Sequence, residues 1–70
     1  MSLAPWALQM SDVRDFIMCL DGCQSYAQVF VEQEIDGIAL MLLNEDHLIN
    51  ALDIKVGPAL KIHQSINCFR

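Results

Sequence analysis

No run of this 70-residue chain longer than eleven residues, Met1 to Ser11, is free of charge. About 20 apolar residues are needed to cross a bilayer, so no membrane span is expected. The N-terminus has no basic region leading into an apolar run, so no secretion signal is expected either. Met1-Ser2-Leu3 reads as an addition from expression with no structural role, which leaves residues 4–70 as one domain. Basic residues are scarce, four against nine carboxylates. A phosphate-neutralising stripe would have to come from Lys55, Lys61, His63 and Arg70 alone, so direct nucleic-acid binding is disfavoured.

Cysteines number three, Cys19, Cys23 and Cys68, an odd count that reads as reduced and intracellular. Cys19 and Cys23 are four apart, but Gly22 should break any helix between them. No CxxC or nearby histidine completes a tetrahedral set, so no metal site is expected and the thiols should be buried and inert. There is no GxGxxG, P-loop, GxSxG or HExxH, and His47 and His63 fall on separate helices without a nucleophile. The sequence therefore predicts no enzyme, no catalytic residue, no cofactor and no small-molecule substrate.

What is present is apolar residue, 54% of the chain, with mean hydropathy +0.35. Disorder needs the opposite balance. A chain this short hides only about 60% of its unfolded surface, so some apolar area is expected to meet a partner. Charge is polarised as well. Residues 1–54 hold all nine carboxylates and one basic group, net −8, whereas residues 55–70 hold the other three basic groups, net +3.

Periodicity predicts five helices, two of them short. Ser11-Asp12 caps the first, whose Val13, Phe16, Ile17 and Leu20 share one face, and Gly22 stops it. A second runs from about Cys23 to Glu32 with Tyr26, Ala27 and Phe30 inward. Asp36 is the N-cap of a short third helix over Ile38–Leu42. Asn44 caps a fourth helix that carries Leu48, Ala51 and Leu52, with Glu45 and Asp46 favouring the positive end of its dipole. Gly57-Pro58 opens the last, Pro58 at its first position, with Ile62, Ile66 and Phe69 on one face. No stretch alternates with period two, and the fold class is all-α, a compact five-helix bundle.

Two surface patches follow. At about 100° per residue Leu60 lies roughly 200° from Ile62, so it projects outward between Lys55 and Lys61. Ala39 and Leu42 sit among Glu34, Asp36, Glu45 and Asp46. One patch is apolar with base around it, the other apolar with acid around it, and they complement each other.

The segments Trp6…Val13…Phe16…Leu20…Tyr26…Phe30, Glu34-Ile35-Asp36-Gly37…Ala39-Leu40-Met41-Leu42-Leu43 and Lys55-Val56-Gly57-Pro58-Ala59-Leu60-Lys61-Ile62 resemble a sterile alpha motif (SAM) domain. They are most similar to the subgroup of Polyhomeotic, Sex-comb-on-midleg and the malignant-brain-tumour-repeat repressors. The resemblance implies a five-helix bundle with two protein-binding faces that join domains head to tail. Its mid-loop face falls on Glu34, Asp36, Ala39, Leu42, Asn44, Glu45 and Asp46. Its end-helix face falls on Lys55, Val56, Pro58, Ala59, Leu60 and Lys61. The implied partners are other SAM domains, its own copies or Polycomb-type repressors, in a nuclear setting. The alternatives are a monomeric heterotypic binder using one face and an RNA-hairpin-binding SAM domain. Two positions depart from relatives: Asp53 stands where Gly is common, and Val56 replaces the usual Leu with a smaller knob.

Overall fold

Val13 and Ile17 are fully buried on the inner stripe of helix α1 (Met10–Met18), with Phe16 and Leu20 packed partly against the same core. The computed structural model describes residues 4–69; Met1-Ser2-Leu3 and Arg70, one of the tail's three cations, lie outside the described residues. Helix α1 begins ahead of the expected Ser11-Asp12 cap. Gln9 is the N-cap, and its backbone N–H donates to Asp12 Oδ2 at 2.9 Å, so Asp12 works from inside the first turn. Gly22 ends the segment at φ +79, a conformation that glycine enters without Cβ strain.

A 3-10 turn, Gln24–Tyr26, leads into α2 (Ala27–Glu32), which buries Ala27 and Phe30 and leaves Tyr26 at the core margin. The chain then reverses through Glu34 at φ 56, where the Ile35 N–H donates back to the Phe30 carbonyl at 2.9 Å. Helix α3 (Gly37–Leu42) starts as expected: Asp36 Oδ1 accepts from the Ala39 N–H at 2.9 Å. Such a cap is worth about 1 kcal/mol. Asn44 likewise caps the next helix, its Oδ1 accepting from the His47 N–H at 2.9 Å while His47 Nδ1 accepts from the Asn44 N–H at 3.2 Å.

That helix, α4 (His47–Ala51), is a single π turn closed by the Leu52 N–H on the His47 carbonyl at 3.0 Å. The wider turn changes which side chains reach the core. Leu48 and Leu52 are buried, but Ala51, expected inside, is exposed.

Helix α5 (Val56–Asn67) buries Ala59, Ile62 and Ile66. Its N-cap is Lys55, so Pro58 is the third helical residue rather than the first. It still sits in the opening turn, whose N–H groups have no intrahelical acceptor. Phe69 lies beyond the helix end and stays 45% exposed; its ring leans on Phe16, centroids 5.4 Å apart, instead of entering the core.

Among the described residues there is no strand, and the five helices enclose one core. Of the cysteines only Cys23 is buried; Cys19 and Cys68 are exposed, contrary to expectation, because each lies at a helix C-terminus on the surface. Burial pushes the Cys23 thiol pKa up, opposed by the Lys61 charge and assisted by Asp21. A thiol so shifted stays protonated and unreactive.

Asp53, like Glu34, is left-handed, at φ 55. Asp tolerates this region better than most residues, yet not as well as Gly. Asp53→Gly is expected to raise the unfolding free energy by up to about 1 kcal/mol. A fall in melting temperature would contradict that account.

Candidate protein–protein interface

Two helices expose apolar pairs at i, i+4. On α3 these are Ile38, 56% exposed, and Leu42, 72% exposed; on α5 they are Val56, 57%, and Leu60, 47%. Side chains at this spacing form one ridge on a helix surface. Apolar area this open in a domain with so complete a core calls for a partner.

The α3 ridge borders a groove of about 300 Å³ walled by Ala39, Leu42, Leu43, His47, Ala51 and Leu52. Each wall has a local cause. The Asp36 cap fixes the start of α3, and the π turn of α4 rotates Ala51 out of the core into the groove. A small residue there leaves the groove open.

Acidic residues surround it. Glu34 is exposed between Gln33 and Ile35, both of which line the groove. Asn44, Glu45 and Asp46 fill the exposed segment between Leu43 and His47. Several are already engaged within the domain: Asp36 and Asn44 by capping, and Asp46, whose Oδ1 accepts from Asn50 Nδ2 at 2.6 Å. Glu45 Oε1 lies 3.2 Å from His63 Nδ1, which ties the start of the α4 segment to α5. Of the seven residues expected on the mid-loop face, Ala39 and Leu42 line the groove, while Glu34, Asp36, Asn44, Glu45 and Asp46 lie within two residues of a lining residue in sequence. His47 and Ala51 also line the groove, and Ile38 is exposed on the same helix as Leu42. Ile38 was legible as the i−4 partner of Leu42; Ala51 was not, because nothing in its residue type announces a π turn.

The second surface opens at the start of α5. Lys55 and Val56 line a cleft of about 520 Å³ with Tyr26, Ile49, Asp53 and Ile54, and Leu60 continues the ridge. One expected contact is corrected. Ala59 is fully buried, about 100° round the helix from Leu60 on the side away from Lys61 and close to Ile66, so it supports this face from beneath and cannot touch a partner. Lys61 is exposed but lies about 100° round the helix from Leu60 and about 140° from Val56. There its Nζ donates to the Asp21 carbonyl at 3.4 Å, beside Gly22. Pro58 is half-buried, and its carbonyl accepts from Cys23 Sγ at 3.7 Å. The loop at residues 21–23 therefore holds the first turns of α5 from the flank opposite the Val56–Leu60 ridge.

No group of three or more His, Cys, Asp or Glu among the described residues is arranged to hold a metal ion. No helix among them is long and apolar enough to cross a membrane. The surface can exclude water over apolar ridges and steer charge; its chemistry is that of association.

Comparison with known proteins agrees with this geometry. Residues 5–70 match the family model for the SAM domain (sterile alpha motif). Polyhomeotic-like protein 2 of Homo sapiens is 52% identical over 66 residues, 94% of this chain and 8% of that protein. The chain therefore spans under a tenth of the length of this relative. A solved Polyhomeotic SAM domain structure superposes with TM-score 0.96 at 43% identity, covering 100% of both chains. A chain of the hetero SAM domain structure of Ph and Scm follows at TM-score 0.88 and 44% identity, covering 97% of this chain and 100% of that one. With its helices, its core and its two exposed ridges all accounted for, the chain belongs to the sterile alpha motif domain family.

Proposed function

We propose that this domain joins like or related SAM domains end to end, the acidic groove of one against the Val56–Leu60 ridge of the next, and so clusters chromatin-associated repressor complexes in the nucleus. The observation that carries the reading is the pair of separate, unlike faces on one small body: an apolar groove rimmed by carboxylates, and an apolar ridge headed by Lys55. A contact between different faces of identical molecules does not close on itself unless the rotation allows it, and otherwise continues as a helical filament. Apolar burial would hold the contact, and charge would steer and orient it. The likeness to the Ph and Scm hetero SAM structure supports related SAM domains as partners alongside the chain's own copies.

Light scattering of the isolated domain tests this. Mean mass is expected to climb with protein concentration, and to fall when salt rises from about 0.05 to about 0.5 M, because the rim charges are exposed. Monomer mass at every concentration and salt would favour the one-faced heterotypic binder instead.

A further inference from the structure

The sequence places net charge +3 in residues 55–70, which reads as a basic end-helix face. Its spatial distribution is different. Lys61 points to the far flank and is engaged by the Asp21 carbonyl. His63 is paired with Glu45. Among the described residues Lys55 is the cation that lines the cleft beside Val56, and Asp53 lines the same cleft. Asp53 takes part in no ion pair among the described residues, with Lys55 or any other cation. It is exposed and left-handed, in the link between Leu52 and α5.

Resting on the head-to-tail reading above, we propose that Asp53 is a specificity-determining residue of the end-helix face, a like-charge brake on docking against acidic SAM grooves, this chain's own among them. The incoming surface carries Glu34 beside its groove, with Asp36, Glu45 and Asp46 close by in sequence and partly engaged by the Ala39 N–H, His63 and Asn50. Lys55 attracts that rim and Asp53 repels it from within the same cleft, so the attraction is reduced there without being cancelled. Like charges brought together at an interface discriminate between partners as effectively as new attractions do. The occupant is thus defined: a groove whose rim is less acidic than this chain's own binds this ridge best, and self-association is held below what the apolar ridge alone would give.

The test isolates one junction. Leu42→Arg disables the groove and keeps the ridge; Leu60→Arg disables the ridge and keeps the groove. Mixed, the two variants can form one contact only, and titration calorimetry reads its Kd. Asp53→Asn is then added to the Leu42→Arg protein, since Asn keeps the shape and tolerates the left-handed backbone. The Kd is expected to fall about three- to tenfold at low salt, as befits one surface charge, and the gain should vanish at about 0.5 M salt. An unchanged or weaker Kd overturns the brake while leaving the head-to-tail reading standing. No binding between Leu42→Arg and Leu60→Arg, with or without Asp53→Asn, overturns both.

Discussion

Leu60→Arg is expected to convert the associating domain into a folded monomer at every concentration reachable in solution. Leu60 is 47% exposed and contributes nothing to the buried core, so the substitution leaves the bundle intact. At the proposed junction the same side chain enters the water-excluded centre, where a guanidinium would have to be stripped of water against Leu42 and Ala51. Truncating one such anchor costs about 2–4 kcal/mol, and a buried charge adds to it, so Kd should rise at least about thirtyfold. Sedimentation velocity with circular dichroism on the same sample separates loss of contact from loss of fold. A Leu60→Arg protein that still grows in mass would place the ridge elsewhere.

Phe30→Ala carries the largest expected effect on the fold itself. Phe30 is the largest of the fully buried side chains and packs into the one core shared by all five helices. Removing its ring costs the transfer energy and leaves a cavity, together about 3–5 kcal/mol. A single core in a chain of this size supplies only about 3–5 kcal/mol of net stability. The variant is therefore expected to be largely unfolded at 25 °C, with a flat near-UV spectrum and no cooperative melt. A cooperative transition within about 5 °C of the parent protein would contradict the packing described.

The helix count and most of the core were legible because burial in this domain follows simple periods. Val13 and Ile17, Ala27 and Phe30, and Ile62 and Ile66 all fall on the stripes that spacing predicts. Asp36 and Asn44 cap the helices that follow them, since short polar side chains compete for orphan N–H groups wherever a helix begins. The failures have a different cause. Ala51 turned outward because a hydrogen bond closed over five residues in place of four, which no residue preference signals. Pro58 moved to the third helical position because Lys55, with extended backbone, could serve as the cap. Glu34 took a left-handed backbone with no glycine to mark it.

The two faces were half legible for the same reason. Leu60 is outward on a helical wheel, and the charge around Leu42 and Leu60 is plain from the sequence, whereas Val56 came in with the family pattern. Ala59 and Lys61 came in with the family pattern as neighbours in sequence, and three-dimensional placement separates them: one lies under the ridge, the other on its far flank. Charge in a stretch of sequence is therefore a poor measure of charge at a contact, and Asp53 beside Lys55 is the example that matters most here.

The central claim is that each domain has two unlike faces that fit one another. Sedimentation equilibrium of an equimolar mixture of Leu42→Arg and Leu60→Arg measures that claim with the fewest assumptions. Each variant alone should sediment as a monomer, and the mixture should reach twice the monomer mass and no more. A mixture that stays at monomer mass, from two proteins that each remain folded, would contradict the account.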